Sequence, residues 1–507
     1  MYISNTKLTN FSLLFVFTLI FSCSSGEDSE SPLPEPPVSE VTCEGPITLS
    51  IDAIGSDYIN LSWSTEGDYS EYDMEYGLTG FTIGQGTRIQ AGTTSVELQN
   101  LAPNSEYDVY VRGVCSNSKG EWTIGSTFIT LKDANIFEGN VTLRNQNEVE
   151  AFGAKGYTKI NGSLIITGFV KPSEPYIVDL SSLKSLNEIT GALSIEDTSL
   201  ELLDGLDNIE SVGQLWLSWN SELTSIEALG SLKKITGYSD MENVNYPAVL
   251  RVYLCSKLKN LESLHNIQEV DYLIIESNRE LTSIYGLQGI INVAKDVTIK
   301  SNGKLKSLNG LNQLTSIGGN FYLSNKGLES LDGLENLETI GQKFSIEGNN
   351  ELVSISAIEN LNFVDELFLS TNLKLASIEG INLDIVQTKL TIGYSGKFTD
   401  LSGISAENTT ASIAVVHCYN LTSLKGLESL IMANEIEIWD NPVLESLSGL
   451  NGLRTIQDRV YIDDNGVLAN FCDLDGLINM GGFSGEWNVS NNLHNPTLED
   501  MKNGICK

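Results

Sequence analysis

The sequence predicts a mainly β protein, a small antiparallel sandwich followed by a long solenoid of stacked short strands. Two observations carry this. From about residue 200 a unit of 23 or 24 residues repeats with Leu or Ile at fixed places. Between about residues 42 and 132, short runs rich in Thr, Val, Tyr and Ile alternate between Gly, Asn and Ser turns. A third observation, the character of the first 23 residues, gives an address rather than a fold. At 507 residues the chain is too long for one compact core, and 41% hydrophobic with 19% charged residues is ordinary globular composition. The charge balance is unusual: 66 Asp plus Glu against 30 Lys plus Arg leave a net charge of −36. Such a surface repels phosphate backbones and anionic lipid, so no nucleic-acid partner is expected. No D-x-[DN]-x-[DN]-G run converts the acidity into a calcium loop.

Residues 1–22 read as a secretory signal: Lys7 and the amino terminus precede an apolar run from Phe11 to Phe21, too short to span a bilayer. The sequence Ile20-Phe21-Ser22-Cys23 resembles a lipobox, with a bulky Phe21 departing from the strict pattern. The resemblance implies cleavage before Cys23 and a diacylglycerol on its thiol, and two or three acyl chains together anchor stably. The acidic stretch Ser24 to Glu30 resembles the export tag of surface lipoproteins of the Bacteroidota, which implies an outer-membrane, lipid-anchored, surface-exposed protein. Residues 23–41, with Pro32, Pro34, Pro36 and Pro37, are expected to be an extended, semi-rigid linker. No later segment is apolar for long enough to make a transmembrane helix, so the lipid is the expected anchor.

Over residues 42–132 the alternation in Ile59-Asn60-Leu61-Ser62-Trp63 places Ile59, Leu61 and Trp63 on one face, and Tyr72, Met74 and Tyr76 alternate likewise. The run Leu101-Ala102-Pro103 with Tyr107 four residues on resembles the tyrosine corner of fibronectin type III domains. The resemblance covers the whole module. Cys43 and Cys115 stand at its two ends and suit one disulfide, as in bacterial relatives, and export makes that chemically reasonable.

The repeat aligns on S-[LI]-x-x-[LI], whose second residue is placed at Leu203, Ile226, Leu264, Ile284, Leu308, Leu331, Ile355, Ile378, Leu401, Leu424 and Leu447. An insertion from about Gly237 to Leu250 interrupts it. One unit runs from Phe344 to Leu361: a strand reading L-x-I, an Asn that can bond turn backbone, then Leu or Ile at successive corners. One unit cannot bury its own apolar face, so neighbours must stack. The L-x-G-L-x-x-L segment makes residues 135–469 resemble the receptor L domain, which implies a right-handed leucine-rich solenoid, here of 12 to 14 turns. Residues 470–507 break the rhythm and resemble the C-terminal cap of bacterial relatives, which implies a Cys472–Cys506 disulfide. Cys418 falls on the Asn position and Cys255 at a strand end, both expected buried and unreactive.

Chemistry is sparse. The three histidines, His265, His417 and His494, lie in distant repeats, and G-x-S-x-G, H-E-x-x-H, phosphate-loop and C-x-x-C motifs are absent. The expected protein is therefore not an enzyme and carries no metal or cofactor. The candidate site is the outward face of the strand ladder, where Trp216, Tyr322, Phe368, Trp439 and Tyr461 are the residues suited to anchor a protein or stack on sugar. The expected function is a lipid-anchored cell-surface scaffold for protein recognition or adhesion. A glycan-capture protein and a plain structural spacer are the alternatives.

Overall fold

A computed structural model describes residues 43–507, apart from 44, 46, 117, 124, 132–134, 169–174, 241, 395–396 and 406–408. The signal, Cys23 and the linker lie outside the described residues. The chain divides into two units at residues 133 and 134.

The first unit is a sandwich of two antiparallel sheets. One holds Ile47–Ile54, Ile59–Thr65 and Ser95–Leu98; the other, in spatial order, Thr87–Ala91, Glu71–Leu78, Glu106–Val114 and Ser126–Ile129. Ile59, Leu61 and Trp63 enter the core together, as their alternation requires, against Met74, Val109 and Val111. The Tyr107 hydroxyl accepts a hydrogen bond from the Ala102 N–H at 2.8 Å, which pins the strand corner. Cys43 and Cys115 are bonded, with Cα atoms 5.9 Å apart. One strand departs from simple alternation. Between Tyr72, Met74 and Tyr76, the carboxylates of Asp73 and Glu75 are also buried, because each has partners. Arg112 and Lys119 hold Asp73 at 2.9 and 2.7 Å. Glu75 accepts from the Gly84 and Gly86 N–H groups at 2.6 and 2.8 Å and pairs with Arg88 at 3.0 Å.

The second unit is a β-solenoid. Among the described residues its main ladder has fifteen parallel rungs, from Val141–Leu143 and Leu164–Thr167 to Thr455–Asp463 and Glu486–Ser490, with a shorter ladder beside it from Ile136–Glu138 onward. This exceeds the expected 12 to 14 turns, because the outermost rungs lack the S-[LI]-x-x-[LI] turn that sets the count. The ladder also runs past residue 469. There the helices Asp475–Asn479 and Leu498–Lys502 and the Cys472–Cys506 disulfide accompany the last rung. At the other end the helix Gln146–Gly153, capped by Asn145, follows the first rung. Leu and Ile columns fill the interior; Phe344, Ile346, Leu352, Ile355 and Ile358 of one rung are each at most 1% exposed.

The Asn position is the most regular feature. Asn278, Asn302, Asn325, Asn349, Asn372, Asn441 and Asn465 are wholly buried. Each side-chain oxygen accepts the backbone N–H of its counterpart one rung back: Asn278 to Asn302 at 3.0 Å, Asn302 to Asn325 at 2.8 Å, Asn325 to Asn349 at 2.7 Å. Each side-chain nitrogen donates to a strand carbonyl of that same earlier rung, Asn302 to Ile275 and Asn325 to Ile299. Cys255 also occupies this column, so it replaces an Asn rather than merely ending a strand. Its N–H donates to Asn278 and its thiol points at the Leu217 carbonyl, 3.7 Å away. Burial pushes that thiol up to about 12, which leaves it protonated and inert. The column places Leu261, not Leu264, in the turn position of its rung, where it precedes a 3-10 turn as Ile226 and Ile284 do. Leu258, Leu261 and Leu264 are spaced three apart, so the motif fits equally well one step late.

The glycine of L-x-G-L is a stacking device. Gly310 and Gly426 have φ of 125° and 114°, and a Cβ there would come within 2.2 and 2.1 Å of a carbonyl on the rung before.

The Glu75 carboxyl is raised by burial but lowered further by the Gly86 and Gly84 N–H bonds and by Arg88, so its pKa lies below the ordinary range. A depressed folded pKa contributes stability above the unfolded value, near pH 4.3, and loses it as pH falls through the folded value. Glu75→Gln is expected to cost the sandwich about 2 kcal/mol at pH 7. Thermal melts of the full chain should show that deficit shrinking toward pH 2; a constant deficit would contradict the assignment.

Candidate binding face on the strand ladder

Parallel pairing without slippage across the inward L-x-I positions puts the residue between them in one outward row. From Trp216 it runs through Arg251, Ile274, Thr298, Tyr322, Ser345, Phe368, Thr391, Ala414 and Glu437 to Tyr461. Four of the five candidate aromatics lie in this row, and Trp439 lies two positions further along its strand. The structure aligns them but does not gather them. At roughly 4.8 Å per rung, Trp216 and Tyr322 are about 19 Å apart, Tyr322 and Phe368 about 10 Å, and Phe368 and Tyr461 about 19 Å.

All five are half-buried rather than standing free. A cation lies over each aromatic of the row: Arg251 over Trp216 at 5.5 Å, Lys300 over Tyr322 at 4.4 Å, Lys343 over Phe368 at 4.3 Å and Arg459 over Tyr461 at 5.3 Å. Trp439 instead packs edge-on to His417 at 4.2 Å, and His417 stacks on Tyr394 at 4.1 Å while its Nδ1 lies 2.5 Å from Asp440. Two of these cations, and Lys389 beside them, are also paired across rungs. Lys343 meets Glu366 and Lys389 meets Glu437, both at 2.8 Å, and Arg459 meets Glu437 at 2.7 Å and Glu435. The sequence reading did not pair the cations with the aromatics because they sit two positions to either side of the row, most of them on a neighbouring rung, or, like Arg251, on a rung hidden behind the insertion. The L-x-V pattern of Leu250-Arg251-Val252 is the signal that could have found that rung.

The insertion itself is a small antiparallel hairpin, Tyr238–Ser239 with Asn245–Tyr246. Asp240 closes its turn by accepting the N–H groups of Glu242 and Val244 at 2.9 and 3.0 Å. Gln214 ties the return strand to the ladder through Pro247 at 2.8 Å. The hairpin walls a hollow of about 460 Å³ over the ladder face, floored by Ile165, Ala192, Trp216, Val249 and Tyr272. Of the candidate aromatics, Trp216 alone lines it.

Among the described residues, one cluster has metal-ligand character, Cys472, Asp475 and Cys506, and its two sulfurs are joined in the disulfide. No helix among the described residues is long and apolar enough to cross a membrane.

Residues 44–129 match the fibronectin type III domain family. Among solved structures, the chain is similar to the FN1–FN3 domains of chicken CNTN1, at 24% identity over 17% of this chain and 32% of that one, TM-score 0.16. It thus spans about a third of that fragment. It is also similar to the fn3 domain of human contactin 1, at 20% identity over 22% of this chain and 96% of that one, TM-score 0.18. Pectate lyase PelI from Erwinia chrysanthemi aligns at 12% identity over 73% of this chain and 88% of that one, TM-score 0.15. No curated protein matches the chain. Residues 44–129 are a fibronectin type III domain, and the chain that follows them is a long β-solenoid.

Proposed function

We propose that the protein is a non-enzymatic scaffold, held at the outer membrane by lipid on Cys23, that recognises another protein through the outward face of its ladder. In this reading the solenoid is a right-handed, leucine-rich array of the receptor L-domain kind, which its Leu, Ile and Asn columns support. The observation that carries the function is the fixing of each row aromatic beneath a cation from its own or an adjacent rung. Aromatic and Arg side chains are enriched in interface cores, and side chains immobilised beforehand lose little entropy on binding. Spacings of about 10 to 19 Å along a flat sheet suit the footprint of a folded protein better than that of one small molecule.

The full chain, purified in detergent, should bind at least one extracellular protein saturably when titrated against a panel of matrix and cell-surface proteins. Phe368→Ala and Trp439→Ala should each weaken that binding about tenfold or more without changing the melting temperature by more than a few degrees. Unchanged binding in both variants would remove the ladder face from the account, and no binding at all would favour a plain spacer. Replacing Cys23 with Ser should move the protein from the membrane fraction to the soluble fraction; a variant that stays membrane-bound would refute the lipid anchor.

A further inference from the structure

The ladder face is flat along most of its length and concave beside the hairpin. There Tyr238 and Tyr246 stack on each other with centroids 4.6 Å apart and form one wall. Trp216 and Tyr272 lie on the floor, and the polar groups of Ser163, Ser194, Glu196 and Gln214 complete the lining. The hollow, about 460 Å³, falls in the range of small-ligand sites and is too small to seat a protein surface.

Its chemistry narrows the occupant. Four aromatic side chains, two from the hairpin strands and two from ladder strands, converge on one volume, which is how flat, C–H-rich faces of sugar rings are gripped. The hydroxyl and amide groups among its lining residues can exchange hydrogen bonds with ring hydroxyls. No Lys or Arg is among the lining residues, and Glu196 contributes a carboxylate. Asp240 and Glu242 of the same hairpin add negative charge on its other side. An anionic ligand is therefore disfavoured. Two side-chain nitrogens in this neighbourhood, Nε1 of Trp216 and Nε of Arg251, are buried without any acceptor, although Arg251 lies over the Trp216 ring. Unpaired buried donors are costly, so a neighbouring acceptor reached by a small shift of Arg251 would be favourable.

We infer that the hollow between the Tyr238–Tyr246 hairpin and the Trp216 floor is a binding site for a neutral oligosaccharide. The inference rests on the reading of the protein as a surface-binding scaffold, but uses a different part of the ladder face from Phe368 and Trp439. It also gives the insertion a purpose: two tyrosines held over a flat sheet convert it into a groove.

The test titrates the full chain in detergent with hexasaccharides of glucose, mannose, xylose and galactose, and with an oligogalacturonate as the anionic counterpart, read by calorimetry. At least one neutral hexasaccharide should bind saturably. Tyr246→Ala and Trp216→Ala should each lower its affinity about tenfold or more, whereas Phe368→Ala should leave it unchanged. Because Tyr246→Ala could unfold the hairpin, Tyr272→Ala serves as the second variant, with circular dichroism confirming the fold. Neutral sugar that binds equally well to all the groove variants would overturn the assignment. So would binding of the oligogalacturonate alone, or failure of every neutral hexasaccharide to bind. Retention of protein binding by Tyr246→Ala, whose residue lies on the hairpin and outside the row, would show that such a failure concerns the groove and not the scaffold reading.

Discussion

Most described rungs of this solenoid hand the backbone of their turn to an asparagine of the next. The Asn302 side chain bonds the Asn278 N–H and the Ile275 carbonyl at once, so two rungs are tied at one fixed offset inside a wholly dry column. The tie also explains a local strain. Residues immediately before the column, among them Ser277, Ser301, Thr371 and Asp440, have φ between 52° and 61°, a conformation that non-glycine residues adopt at a cost. A turn so bent persists because the neighbouring asparagine takes up the N–H it presents. Where Cys255 and Cys418 replace Asn, their thiols face the same strand carbonyls at 3.7 Å, keeping the column's donor direction with weaker bonds.

Register is what this column delivers to function. Leucine layers alone tolerate slippage by one corner, as the threefold spacing of Leu258, Leu261 and Leu264 shows. A buried amide does not, since a shift would leave it and its partners unpaired. With register fixed, the outward residues of successive rungs fall in one row. That row sets Lys343 over Phe368 and brings Lys389 to Glu437. The hairpin then exploits the same fixed face, since its anchor, Gln214, stands two residues before Trp216 on one strand.

The fold was legible in the sequence to the extent that it rests on period. Ile59, Leu61 and Trp63 disclosed the sandwich face, and the 23-residue spacing disclosed the rungs. What period does not carry stayed hidden. The buried carboxylates Asp73 and Glu75 depend on partners 9 to 46 residues away. The outermost rungs lack the turn motif, so they escaped the count. The shared outward row of Trp216, Tyr322, Phe368 and Tyr461 was legible because it follows from alternation. Their cations were not, since which neighbouring side chain folds over a ring is a matter of rotamer and not of spacing. The hairpin was visible as an interruption, yet that its tyrosines would face Trp216 depended on the anchoring bonds of Gln214 and Asp240.

The most direct test compares Asn302→Ala with Thr298→Ala, two substitutions on one rung, by denaturant unfolding of the full chain. The first leaves the Asn278 N–H and the Ile275 carbonyl without their buried partner and is predicted to cost about 3 kcal/mol; the second removes an outward side chain and should cost less than about 0.5 kcal/mol. Equal and small losses in the two variants would show that the leucine layers hold the rungs without the asparagine column, and would contradict the account.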